Sequence, residues 1–380
     1  MNSVRHLFAS EMSVDPSWVY LDHAAVAPLP PATAAAIIDW VRSVEQFGCA
    51  NWPAWRAKLE DLRGTAARLI NASTDEIALV RSTTEGINFV AEGFPFREGD
   101  NVVVPANEFP SNLFPWMNLK RRGVEVRIVP VDDGQVNLGR LNEACDSKTR
   151  IVAASWVSFN SGYRIDPSQL AEIAHQHGAL AFLDAIQGLG MFPLDAKASG
   201  IDFLAADGHK WLLGPEGAGV FYIKAEHLNL LEPVSIGWNS VESSYNFDTP
   251  ELNVKKTAQR YEGGTYAMPG FQGLKASLDL FEKFGINAIS ESLHEVTNEL
   301  VSRMESLGGR TTANRSDDHW SGIIPFEFAG HDPMDIRNKL FEKKVLCSVR
   351  GGKVRFSPHA YTTSDMLQRL TDHLATILHS

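Results

Sequence analysis

From residue 77 the chain alternates short β-branched runs with helix-length segments: Ile77-Ala78-Leu79-Val80, Asn101 to Val104, Val124 to Val129, Ile151 to Trp156, and Leu180 to Leu183. Runs of this kind separated by helices predict an α/β fold with a mostly parallel sheet covered on both faces. The helical segments carry their own punctuation. "DPSQLAEIAHQHG" opens with Asp166 as N-cap and Pro167 at the first helical position, and stops at Gly178. In an open α/β sheet the ligand sits outside the carboxyl ends of the strands, so the residues after each apolar run are the ones to inspect.

After about residue 265 the texture changes to longer amphipathic helices. Phe271, Leu274, Leu278 and Phe281 share one face, and Ile286, Ile289, Leu293, Val296 and Leu300 share another. The expected organisation is a large α/β domain over 16–265 and a smaller α+β domain over 266–380, with 1–15 packing on the latter. Within the smaller domain, "GIIPFEF" reads as a strand and Pro333 opens a helix. Short strands surround Val345 and Val354, and a last helix starts at Ser364. At 380 residues the chain can bury a sizeable core without disulfides. Cys49, Cys145 and Cys347 are odd in number and lack C-x-x-C spacing, which supports neither a disulfide framework nor a metal site. A net charge of -11 disfavours nucleic acid, and no apolar stretch reaches membrane-spanning length. The expectation is a cytoplasmic protein with no membrane partner.

Four features follow strand ends. Ser82, Thr83 and Thr84 stand where a strand meets a helix; hydroxyls and free N–H groups there suit a phosphate, although an ordinary N-cap has the same composition. Phe109, in "ANEFPSN", is either core or a plate over a planar ligand. Asp184 ends the run "LAFLD" and needs a cation or donors to offset its desolvation; Gln187 follows it. Lys210 comes after His209 and before "GPEGAG", where an amine in its neutral form is a nucleophile. Singly, each has a bland explanation. Together they supply what pyridoxal 5'-phosphate requires: an amine for its aldehyde, a helix N-terminus for its phosphate, a carboxylate for its ring nitrogen and an aromatic face. A nicotinamide dehydrogenase is disfavoured, since no G-x-G-x-x-G follows an early strand.

"RSTTEGINFVA", "FLDAIQGLG" and "DGHKWLLGPEGAG", in that order, resemble the class V aminotransferase family of fold-type I pyridoxal-phosphate enzymes, which includes cysteine desulfurases and isopenicillin N epimerase-like proteins. The resemblance runs from "YLDHAAVAPLP" to "VRFSPHAYTTSDMLQRL" and implies the fold-type I architecture, with a sheet of the seven-stranded type. It implies that Lys210 is the Schiff-base lysine, that Asp184 pairs with the ring nitrogen, and that Gln187 bonds the cofactor's phenolic oxygen. Thr83, Thr84 and His209 fall on phosphate-binding positions, and Phe109 falls where many desulfurases stack a histidine. Gly264 and Thr265 match a segment that reaches the phosphate of the other subunit, which implies a homodimer with the cofactor at the interface. Arg355 matches the arginine that holds a substrate's α-carboxylate; a surface salt bridge is its bland alternative. Arg350 matches a second arginine near that site, and His23 and Trp52 are candidates for the pocket wall, with core or surface packing the favoured reading of each.

The departures narrow the reaction. Desulfurases of this family carry a nucleophilic cysteine on a longer loop between those arginines, whereas "GGKV" alone joins Arg350 to Arg355 here. Cys347 lies in an apolar strand-like stretch, and Cys49 belongs to a loop that could approach the pocket mouth. Asp207 replaces a small hydroxyl, and a carboxylate beside a phosphate must face elsewhere. Phe159 replaces an asparagine. The leading expectation is a pyridoxal-phosphate enzyme acting on a small amino acid, with transamination, elimination or epimerisation as its outcome. A cysteine desulfurase or selenocysteine lyase, and a non-catalytic dimer of the same fold, are the alternatives.

Overall fold

The computed structural model describes residues 4–379. In chain order it contains α1 (Val4–Ala9), β1 (Val19–Tyr20), α2 (Pro31–Phe47), α3 (Trp52–Leu69), β2 (Ile77–Val80), α4 (Thr83–Gly93) and β3 (Asn101–Pro105). There follow α5 (Phe114–Asn118), β4 (Glu125–Val129), α6 (Leu138–Ala144), β5 (Thr149–Ser155), α7 (Pro167–Gln176), β6 (Leu180–Asp184), α8 (Ala196–Ser199), β7 (Phe203–Asp207) and β8 (Gly219–Ile223). The remainder is α9 (Met268–Phe284), α10 (Ile286–Ser306), β9 (Gly309–Thr311), β10 (Ile324–Phe328), α11 (Pro333–Glu342), β11 (Val345–Leu346), β12 (Ser348–Arg350), β13 (Lys353–Phe356) and α12 (Ser364–Leu378).

Seven strands form the main sheet in the order β2-β8-β7-β6-β5-β3-β4, with β8 antiparallel to both of its neighbours and the other ladders parallel. This is the α/β, mostly parallel seven-stranded sheet that the sequence predicts. Because side chains alternate along a strand, β5 sends Val152 and Ala154 into one core and Ile151 and Ala153 into the other. Burial on both faces is the reason these strands read as unbroken apolar runs. Asp166 caps α7 by accepting from the Ser168 N–H at 2.8 Å, at the predicted position.

A four-stranded antiparallel sheet, β12-β13-β10-β9, is covered by α10, α11 and α12 around a third core that includes Val296, Leu300, Phe326 and Leu370. α9 packs on α2 and α3, and its Phe271, Leu274 and Leu278 belong to the core of the main sheet. α10 serves both parts, giving Ile289 and Leu293 to that core and Val296 and Leu300 to the third. β1 pairs in parallel with β11, and the bridge Asp22↔Ser357 extends the contact. The chain's start is thereby carried to the small sheet beside the carboxyl ends of β6 and β7.

Candidate active site

β7 ends at Asp207, and the next residue must be glycine. A Cβ on Gly208 would lie 2.6 Å from Leu274 Cδ1 and 2.8 Å from the Ala218 carbonyl oxygen. The chain can therefore bend sharply, and the Leu213 N–H closes the turn on the Lys210 carbonyl at 3.0 Å. Lys210 is 8% exposed and shares a cleft of about 240 Å³ with Asp184, Thr83, Thr84, His209 and Phe109. Its Nζ stands 5.7 Å from the centroid of the Phe109 ring. Burial depresses the lysine to about 8, with Arg355 adding to the effect and Asp184, Asp207 and Asp22 opposing it.

Asp184 is buried, and desolvation raises it to about 6 against a 3.1 Å hydrogen bond from the Ile186 N–H and the charge of Lys210. Gln187 donates to the Ala24 carbonyl at 3.0 Å and accepts from Trp211 Nε1 at 2.7 Å, which leaves one amide N–H for the cleft. At the other end of the cleft, Ser82 caps α4 by accepting from the Glu85 N–H at 3.1 Å. Thr83 Oγ1 accepts from the Asp207 N–H at 2.9 Å, tying this helix terminus to β7. Thr84 Oγ1 donates to Ser111 Oγ at 2.9 Å.

A phosphate fits this end. The first N–H groups of an α-helix lack partners within it, and His209 Nδ1 is buried without a hydrogen-bond partner. Asp207, which the sequence places beside the phosphate, turns one carboxylate oxygen to the Gly208 N–H at 2.7 Å. Its other oxygen is 3.2 Å from His209 Nδ1, close enough for ion pairing but without hydrogen-bond alignment. The carboxylate thus has partners of its own.

At the opposite rim Arg355 is buried, which rules out a surface salt bridge. Its NH2 donates to Asp22 Oδ1 at 2.9 Å, its Nε to Ser348 Oγ at 3.0 Å, and its NH1 to the Phe159 carbonyl at 2.7 Å. Two of its five N–H groups remain, and the side chain lines the cleft together with Arg350. Phe159 meets Phe109 edge-on with centroids 5.3 Å apart.

Two pocket-wall candidates lie away from the cleft. His23 does not line the cleft: it is fully buried, with Nδ1 2.9 Å from the Ser357 carbonyl and Nε2 2.7 Å from Tyr361 Oη, while its neighbours Ala24 and Ala25 form the wall. Trp52, on α3, bonds Tyr245 Oη at 3.2 Å and is likewise absent from the lining. Gly264 and Thr265 line a separate cavity with Arg81 and Glu85. Neither Cys49, which is exposed, nor Cys347, which is buried, lines the cleft. Desolvation drives the Cys347 thiol up to about 12.

Sequence reasoning passed over two acids. Asp22 adjoins the singled-out His23, and its role depends on an arginine 333 residues away. Glu108 adjoins Phe109 and is buried. It accepts from the Ser155 N–H at 2.7 Å, from Ser155 Oγ and from Asn112 Nδ2 at 2.8 Å. Burial lifts Glu108 to about 7. The available signal was a carboxylate three residues beyond the buried strand β3, a looser form of the criterion that found Asp184 at the end of β6.

Residues 19–367 match the family described as aminotransferase class-V. A probable cysteine desulfurase of Methanothermobacter thermautotrophicus is 35% identical, over 94% of this chain and 94% of its own. Among solved structures, a cysteine desulfurase of Escherichia coli superposes with a TM-score of 0.86 at 26% identity, covering 98% of each chain. A cystine C–S lyase in complex with its product cysteine persulfide gives 0.88 at 23% identity, covering 95% of this chain and 98% of that one. The last likeness speaks for the fold alone.

Proposed function

This chain belongs to the class V aminotransferase family and is a pyridoxal-phosphate-dependent enzyme, and from that premise we propose that it cleaves the carbon–sulfur bond of a small cysteine-derived amino acid by elimination. The observation that carries this reading is a cleft with an amine base and no thiol. Relatives named cysteine desulfurases support sulfur chemistry. Desulfuration through an enzyme persulfide needs a thiolate in reach of the substrate's sulfur. Here Arg350 and Arg355 are joined through a tight turn at Gly351 and Gly352, with φ of 55° and 72°, which leaves no room for the longer cysteine loop.

In this reading Lys210 would take the cofactor's aldehyde, Asp184 its ring nitrogen, Gln187 its phenolic oxygen, Phe109 its ring face, and Thr83, Thr84 and His209 its phosphate. When bound, the cofactor supplies an electron-withdrawing ring that acidifies the substrate's α-proton. Arg355 presents its two free N–H groups to the α-carboxylate. Set free from the aldehyde when the substrate's amine takes its place, Lys210 Nζ would take the α-proton. The β-carbon–sulfur bond breaks with its electron pair leaving on sulfur, and water converts the remaining three-carbon fragment to pyruvate and ammonia. Phe109, Phe159 and Ile186 give the cleft an apolar side. We also infer a homodimer in which Gly264 and Thr265 serve the partner's site, since they lie outside the cleft of their own chain.

The test is product analysis of the holoenzyme with L-cystine and L-cysteine. Elimination gives pyruvate and ammonia, desulfuration gives alanine, and transamination leaves the visible cofactor band bleached without turnover. The Cys49→Ala/Cys347→Ala double variant should retain pyruvate formation. A second reading, a thiol-dependent desulfurase, rests on the exposed Cys49 between α2 and α3; alanine formation that Cys49→Ala abolishes would establish it in place of the first.

A further inference from the structure

Beyond the cleft, a second cavity of about 390 Å³ is lined by Asp22, Met334, Arg337, Cys347, Ser348 and Arg350. Arg350 lines both spaces, so the two meet at its side chain. Its NH1 donates only to the adjacent Val349 carbonyl at 2.9 Å. Arg337, on α11, donates to Asn338 Oδ1 at 3.0 Å and packs over Phe341. Among the described residues neither guanidinium has a carboxylate within ion-pair distance, unlike most arginines of this chain. The one acid in the lining, Asp22, is committed to Arg355 and to Ser348 Oγ, at 2.9 and 3.0 Å. Two unpaired guanidinium groups against one neutralised carboxylate make this compartment an anion site.

We propose that this second cavity holds the distal carboxylate of a dicarboxylic substrate, gripped by Arg350 and Arg337 while Arg355 holds the carboxylate of the reacting half. The proposal rests on the elimination reading and names its substrate class: a symmetric amino-acid disulfide such as cystine in preference to cysteine. Cys347, at the wall, serves as a small apolar surface.

The holoenzyme's visible band is titrated with L-2-aminosuberate, which matches cystine in length, and with L-2-aminooctanoate, which carries a methyl group in place of the distal carboxylate. A charge-assisted contact predicts a preference of roughly tenfold or more for aminosuberate, falling to about twofold or less in Arg337→Ala/Arg350→Ala. Both side chains are at the surface, and an unchanged resting band verifies that the variant is folded and loaded. Equal affinities in the unsubstituted enzyme, or a preference that survives the double substitution, overturn the proposal. A preference without pyruvate from cystine keeps the subsite and removes the elimination reading. Pyruvate from cystine without a preference does the reverse.

Discussion

Two buried arginines show how the same side chain is built into a framework or held ready for a ligand. Arg63 bonds Glu262 through both terminal nitrogens at 2.5 and 3.0 Å, the Ile77 carbonyl at 2.7 Å and Glu60 at 3.1 Å. Glu262 also accepts from the Leu79 N–H at 2.6 Å and from Tyr266 Oη at 2.6 Å. The partner charges more than offset desolvation, and the guanidinium is held above its ordinary range. Arg355 is equally buried but meets a single carboxylate oxygen, so desolvation prevails and its value is depressed. One arginine is saturated; the other retains donors and a charge that its surroundings only partly balance. Burial of an arginine therefore identifies a binding group only when its donors are counted.

The largest expected effect is on stability at the saturated site. Arg63→Ala leaves Glu262 buried without its cation and should lower the unfolding free energy by about 3–5 kcal/mol in a denaturant titration. The cofactor content per folded molecule should stay the same. A loss no larger than that of Arg355→Ala would break the contrast. Next, Arg355→Ala should weaken amino-acid binding by about tenfold to a hundredfold, read from the cofactor band, because a charge-assisted contact to the carboxylate is lost. Equal loss of cofactor and substrate binding would mean that this arginine belongs to the framework after all.

The smallest effect is a titration. Uptake of pyridoxal phosphate by cofactor-free protein requires neutral Lys210, so its rate should rise with pH through about 8. The Asp184 carboxylate favours the protonated lysine and Arg355 disfavours it. Asp184→Asn should therefore move the midpoint down and Arg355→Ala should move it up, while Arg63→Ala leaves it in place. A shift in Arg63→Ala, or shifts of the opposite sign in the other two, would show that the charges around Lys210 have been assigned wrongly.

Legibility in the sequence followed the range of the interactions. The strands of the main sheet were readable because burial on both faces makes them continuous apolar runs, and Asp184 and Lys210 stood out as polar groups just beyond such runs. Phe109 was found by the same rule, yet the adjacent Glu108 was missed, since its partners Asn112 and Ser155 come from different elements. Asp22 and His23 are neighbours where the chain enters a turn closed by the Ala25 N–H on the Asp22 carbonyl at 3.0 Å, and their side chains leave in different directions. The imidazole enters the core beside Tyr361 and the carboxylate reaches Arg355. Choosing between them required the C-terminal sheet that both of them meet. The change of texture near residue 265 likewise signalled longer helices but not that α9 would pack on α2 and α3.

The pairing of β1 with β11 also fixes an order of assembly. Asp22 is made early and its partner Arg355 lies 333 residues later, which at ribosomal speed is a delay of tens of seconds. Every residue of the proposed cofactor floor, from Thr83 to Lys210, has left the ribosome well before then. The rim proposed to recognise substrate is the last part of the site to be completed, and a nascent chain can gather the proposed floor before it has the arginine assigned to gripping an amino acid.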